Sequence, residues 1–212
     1  MLDVREVTVT FQQRPLLDRV TLHVSRGEVL ALLGPSGSGK TTLLRVIAGL
    51  QPVEAGTVLL DGEDITAVPT HRRSVGLVFQ DNQLFPHRTV AENIAFGLRM
   101  QGMPRRDRDE RVANLLDLVG LSGFEARSVA RLSGGEAKRI ALARSLAPSP
   151  AVLLLDEPLT GLDRELHAEL ATWLSDALRA TGTTAVLVTH DQNEAALVAD
   201  RVVQLGDLGA AP

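Results

Sequence analysis

Eight consecutive residues, Gly34-Pro35-Ser36-Gly37-Ser38-Gly39-Lys40-Thr41, constrain this chain more than any others. They fit G-x-x-x-x-G-K-[ST] at every fixed position. The apolar run Val29 to Leu33 precedes them, and the helix-compatible run Thr41 to Ala48 follows. In a strand–loop–helix setting the glycines let the backbone curl, so that several N–H groups point at one anion. The helix that follows adds its positive end. Lys40 would reach the β- and γ-phosphates of a nucleotide, and the Thr41 hydroxyl would hold Mg²⁺. The plain alternative is a Gly/Ser turn joining a strand to a helix, and the flanking elements argue against it.

The rest of the chain supplies a sheet for that loop. Val7, Val9 and Phe11 alternate with other positions, as do Val20, Leu22 and Val24, which predicts strands. Further strands are expected at Thr57–Leu60, Ser74–Phe79, Ala151–Leu155, Thr184–Val188 and Arg201–Leu205. Residues 89–146 turn helical, with Val90, Ile94 and Leu98 on one face and Val112, Leu115, Leu116 and Val119 on another. Helices are also expected over Leu162–Ala180 and Gln192–Ala199. Strands alternating with helices indicate α/β with a parallel sheet, and the central helical block reads as an insertion between two of its strands. The mixed-sign run from Pro104 to Arg111 reads as a solvated first helical turn rather than a phosphate-binding patch.

Composition narrows the function classes. In 212 residues there is no cysteine, which removes disulfides, thiolate catalysis and cysteine metal sites. A formal net charge of −4 gives nucleic-acid binding no support from bulk electrostatics. No apolar run approaches membrane-spanning length, and the start MLDVREVTV has no secretory pattern, so cytosolic residence is the simplest expectation.

Three further groups fall where ligands of parallel sheets gather, at the carboxyl ends of strands. The run Val152–Leu155 ends in Asp156 and Glu157. Asp156 would orient Mg²⁺, and Glu157 could act as base or positioner for a water attacking the γ-phosphate. His190 ends the strand Thr184–Thr189 and could donate to that phosphate, although a capping or surface histidine fits the sequence equally well. His23, His71, His87 and His167 read as structural or exposed. Leu132-Ser133-Gly134-Gly135-Glu136 precedes a helix expected from about Ala137. Ser133 can cap it, and its open N–H groups form a second anion site. From these residues alone an ordinary glycine-rich N-cap is the simpler reading. A second cradle makes sense if two copies meet and each completes the other's site.

Taken together, these residues resemble the nucleotide-binding subunit of ATP-binding cassette (ABC) transporters over nearly the whole chain. Gly34–Thr41 matches Walker A, and Gln80 the Q-loop. LSGGE, Leu132 to Glu136, matches the signature, and Val152–Pro158 matches Walker B with Glu157 as catalytic base. Thr160-Gly161-Leu162-Asp163 matches the D-loop, and His190 the switch histidine. The resemblance implies a P-loop NTPase (RecA-like) fold: α/β, mainly parallel, with an N-terminal antiparallel β subdomain and an inserted helical subdomain. One domain over 1–212 is expected, with 1–85 and 149–212 as catalytic core and 86–148 as the helical part. It also implies ATP and Mg²⁺ as cofactors, and a head-to-tail homodimer with ATP between Walker A of one copy and Ser133, Gly134 and Gly135 of the other. Catalysis would rest on Glu157, His190, Gln80 and Lys40, the metal on Thr41, Gln80 and Asp156, and nucleotide contacts would extend to Thr42 and Asp163. Phe11 stands where the family places an adenine-stacking aromatic, usually tyrosine. Glu136 replaces a commoner glutamine and Gly161 a commoner alanine.

Leu84 to Ile94 resembles the importer branch that serves thiamine, iron, polyamines, sulfate or molybdate. The implied partners are transmembrane permease subunits and an extracytoplasmic solute-binding protein, with the chain peripheral on the inner face of the membrane. Many members of the branch carry a C-terminal regulatory β-domain. The sequence ends at Pro212, so that domain is expected to be absent, a form most like thiamine-type importers. Two rivals remain. A cassette ATPase of DNA repair, chromosome organisation or translation would be expected to carry long coiled coils or a second cassette. A small-molecule kinase would leave LSGGE and His190 unexplained.

Overall fold

The computed structural model describes residues 1–12 and 14–209. Two sheets carry the chain. The antiparallel one has the order β2-β1-β4-β5, from β1 (Leu2–Phe11), β2 (Arg14–Val24), β4 (Ala55–Leu60) and β5 (Glu63–Asp64). The other is parallel throughout, in the order β6-β7-β8-β3-β9. Its strands are β3 (Val29–Leu33), β6 (Val75–Val78), β7 (Val152–Asp156), β8 (Ala185–Val188) and β9 (Arg201–Gln204). Helix α1 (Lys40–Ala48) follows β3. Helices α2 (Val90–Met100), α3 (Arg105–Leu118) and α4 (Gly134–Leu146) lie between β6 and β7 in sequence. Helices α5 (Arg164–Thr181) and α6 (Gln192–Val198) follow β7 and β8.

Strands buried on both faces show a division by residue parity. Val152 and Leu154 of β7 pack with α1 and the antiparallel sheet, whereas Leu153 and Leu155 pack with the buried faces of α2 to α5. Val186 and Val188 of β8 take the first side, and Ala185 and Leu187 the second. The phosphate-loop helix and the helical block therefore sit on opposite faces of one sheet.

The departures from the sequence-based expectations are local. In β1, Val7 and Val9 are buried but Phe11 is 65% exposed. A bulge at Glu6, with φ of 47°, shifts the register between Val4 and Val7 and so buries both valines. Helix α4 starts three residues earlier than Ala137, because a capping box at Ser133 outweighs the poor helix propensity of two glycines. Leu205 opens a short 3₁₀ turn instead of ending β9. The charge run enters α3 at Arg105, and its side chains are largely exposed.

Arg73 fixes the position of α1, and no sequence signal marks it. Its buried guanidinium donates to the carbonyls of Val46 and Ile47 at the end of α1 (2.9 and 3.1 Å), and to those of Val68 and Thr66. A cation on the negative end of a helix is favourable there. Gly49 leaves it room, since a Cβ at that position would lie 2.4 Å from Arg73 Nε.

Candidate nucleotide-binding site

Helix α1 begins without a side-chain cap. Its N-cap is Gly39 with φ of 103°, and a Cβ there would meet Leu17 and the Leu16 carbonyl at about 3 Å. The first N–H groups of α1 are left for a ligand. Gly37 has φ of 78°, with open space where a side chain would stand. Lys40 is 5% exposed, and its ammonium donates to the carbonyls of Gly34 and Pro35 at 2.8 and 2.9 Å. Two of its three donors are thereby committed. The Ser38 hydroxyl is buried with no hydrogen-bond partner. Ser36, Gly37, Gly39, Lys40, Thr41 and Thr42 line one pocket of about 220 Å³, together with Leu16 and Glu157.

The carboxyl end of β7 arrives at the same place. The Thr41 hydroxyl donates to Asp156 at 2.9 Å. Burial pushes the Asp156 carboxyl above its usual range; the Thr41 bond opposes this, and neighbouring Glu157 adds to it. Glu157 sits in the left-handed region at φ 45°, a strained setting for a residue with a side chain. Its amide donates to the Val188 carbonyl of β8 (2.9 Å), and its carboxylate accepts from Thr160 (3.1 Å). His190 Nδ1 lies 3.5 Å from Glu157 Oε2, so strands β7 and β8 bring this acid and this histidine together.

These residues fit a triphosphate and a hard divalent cation. The Ser38 hydroxyl lacks a partner, Gly37 leaves open space, and a cation is pinned on loop carbonyls. The Thr41 hydroxyl and a desolvated carboxylate are oxygen donors of the kind Mg²⁺ takes alongside phosphate oxygens. Among the described residues no three histidine or acidic side chains cluster to hold a metal unaided.

The remaining expected residues lie around this centre. Phe11 lines a second groove with Gln12, Pro15 and Leu16, and Leu16 lines both. Leu16 carries no sequence signal and was not anticipated. Gln80 is exposed, two residues beyond β6 on the same edge of the sheet. The segment after it is tied to α4, since Arg144 donates to the carbonyls of Asn82 and Gln83 at 2.9 and 2.7 Å. Asp163 caps α5 by accepting from the Leu166 amide. Ser133 and Gly134 are exposed, whereas Gly135 packs against Leu166 and Leu170. None of Leu132–Glu136 lines the phosphate-loop pocket.

Comparisons with known proteins give the family and the fold. The ABC transporter family model matches residues 17–160. The Fe(3+) ions import ATP-binding protein FbpC of Streptomyces coelicolor is 57% identical over 207 residues, covering 98% of this chain and 60% of that protein. The sulfate/thiosulfate import ATP-binding protein CysA of Nocardia farcinica is 48% identical over 202 residues, covering 95% and 61%. The spermidine/putrescine import ATP-binding protein PotA of Pasteurella multocida is 44% identical over 205 residues, covering 97% and 55%. The chain thus spans about three-fifths of the length of these relatives. Among solved structures, the dimeric ATP-binding cassette MJ0796 bound to ADP and Pi superposes with a TM-score of 0.85 at 31% identity, over 100% of this chain and 97% of that one. Its parallel sheet, phosphate loop and ordered motifs have one common explanation: this chain belongs to the ABC transporter family.

Proposed function

We propose that this chain binds ATP with Mg²⁺ and hydrolyses it to ADP and phosphate, as the energising subunit of a bacterial importer of a small solute or ion. The observation that carries the reading is the convergence of Lys40, Thr41, Asp156, Glu157 and His190 at one edge of the parallel sheet. Lys40 and the free α1 amides would hold the phosphates. Thr41 and Asp156, with Gln80, would hold Mg²⁺, which when bound neutralises charge building on the phosphates. Glu157 would orient the attacking water and receive its proton, with His190 donating toward the γ-phosphate. Phe11 would stack on the base, a role open to a phenyl face.

The centre is half of a catalytic unit. Ser133, Gly134 and Gly135 are absent from the phosphate-loop pocket of their own chain, and the α4 N-terminus is turned to solvent. A head-to-tail homodimer would bring each α4 N-terminus onto the partner's nucleotide, with Asp163 beside it. The ties from Arg144 to the Gln80 segment support a helical part, 86–148, that passes this closure to permease subunits. The relatives are named import ATP-binding proteins, which supports import over a role in DNA repair, chromosome organisation or translation. No helix among the described residues is long and apolar enough to cross a membrane. We place the chain on the cytoplasmic face of one, served by an extracytoplasmic binding protein, with no part for nucleic acid.

The test is Glu157→Gln. It should bind ATP normally, lose hydrolysis by about 10²- to 10⁴-fold, and accumulate as an ATP-bound dimer by light scattering. Turnover at the wild-type rate would remove Glu157 from the mechanism.

A further inference from the structure

Beneath His190 lies a second acid–histidine pair that the hydrolytic scheme does not use. Glu194 of α6 is 3% exposed. Its Oε2 accepts the Thr189 hydroxyl at 2.7 Å and lies 3.5 Å from His167 Nε2 of α5. Its Oε1 is buried with no hydrogen-bond partner. A buried carboxylate with one bare oxygen is costly unless it holds a proton or faces a cation. The Thr189 hydroxyl also accepts the Asp191 amide at 3.1 Å. Thr189 and Asp191 flank His190, so one hydroxyl, oriented by Glu194, ties both sides of that residue.

We propose that Glu194 and His167 are positioning residues for His190, and that the proton they share makes the hydrolysis rate sensitive to pH. The inference rests on the ATPase reading above. With one proton the pair is neutral as a unit, whether written as imidazolium–carboxylate or as imidazole–carboxylic acid. Losing that proton leaves a lone charge in the core under the His190 loop.

Among the described residues no cation other than His167 lies in ion-pair contact with Glu194. Lys138 of α4 feels the Glu194 charge, but its ammonium donates to the Pro158 carbonyl at 2.6 Å. Asp191, at the N-cap of α6, adds a like charge. Strand β3 presents only apolar side chains, and Arg201 of β9 is paired with Glu28 at 2.6 Å. Burial is the largest influence on Glu194 and raises its pKa, against the Thr189 bond and the His167 charge. For a raised group, the stability it contributes is present at low pH and is lost as pH rises through the folded value. The His190 loop should therefore loosen toward alkaline pH.

Two measurements test this on the whole chain. Steady-state ATPase profiles from about pH 6 to about pH 9 compare wild type with His167→Arg, which keeps a cation at every pH. Wild-type kcat should fall at least about 3-fold on the alkaline side with KM for ATP nearly constant, and His167→Arg should hold its kcat there. Identical alkaline limbs for the two proteins would overturn the proposal. The second measurement needs no nucleotide. In ¹H–¹³C spectra of the five histidine rings, the isosteric Glu194→Gln should move the His190 signal, whereas His23→Gln should not. A His190 signal indifferent to Glu194→Gln would equally overturn it. A chain that neither bound nor hydrolysed ATP, yet showed the coupling in this spectrum, would refute the ATPase reading and leave Glu194 as the positioner of His190.

Discussion

Two helix N-termini in this molecule are finished by opposite designs. Helix α1 starts at Gly39 with no side-chain cap, and its donors stand open beside a buried lysine and a half-buried Thr41 bonded to buried Asp156. Helix α4 starts at Ser133 with a complete capping box: the Ser133 hydroxyl accepts the Glu136 amide, and the Glu136 carboxylate accepts the Ser133 amide at 2.7 Å. The first terminus is built to be satisfied by a ligand. The second satisfies the Ser133 and Glu136 amides within its own chain, leaves those of Gly134 and Gly135 open, and carries a negative charge where phosphate would come. Arg127, 3.9 Å from Glu136, offsets part of that charge. On the proposed function, the first terminus would hold phosphate by itself, and the second would be recruited by the nucleotide of a partner copy.

That contrast can be broken at three points of decreasing strength. Lys40→Ala removes the buried cation of the first terminus and should weaken MgATP binding roughly 10- to 100-fold, measured by calorimetry. Unchanged affinity would mean the α1 amides suffice without it.

The second point is pH. Burial raises the Asp156 pKa, so this carboxyl keeps its proton to a higher pH than an ordinary carboxylate. Without metal, the folded chain holds that proton more tightly than the unfolded chain, and stability is lost as pH rises through the Asp156 value. Metal binding needs the ionised form, so Mg²⁺ affinity should grow over the same window. The increase in Tm given by Mg²⁺-nucleotide should therefore grow with pH in wild type and stay flat in Asp156→Asn. A flat response in wild type would remove Asp156 from the metal site.

The smallest effect belongs to α4. Glu136→Gln keeps an acceptor for the Ser133 amide and deletes the charge, and should strengthen ATP-driven dimerisation by about 2- to 5-fold. A weaker dimer would show that Glu136 helps rather than hinders.

The first terminus was legible in the sequence and much of the second was not. Phosphate loop, strand and helix follow one another in the chain, so the motif and its apolar flanks carry the geometry. Asp156, Glu157 and His190 were readable because parallel strands deliver their carboxyl ends to one edge. The capping box hid the start of α4, since the glycines argued against helix until Ser133 and Glu136 were seen to bond each other. Arg73, Leu16 and the Thr189–Glu194–His167 set left no trace. Their contacts run through backbone carbonyls, which impose no residue type, or join side chains at spacings that follow no helical or strand period.

The central claim, that each catalytic centre takes one half from each of two copies, is tested most directly by mixing two inactive variants, Lys40→Ala and Ser133→Ala. In a head-to-tail pair, the intact phosphate loop of one copy would face the intact α4 N-terminus of the other. The equimolar mixture should then regain about a quarter of wild-type ATPase, since half of the dimers are mixed and each mixed dimer has one intact site. A mixture as inactive as its components, with dimers forming normally, would place both halves of the site within a single chain and contradict the account.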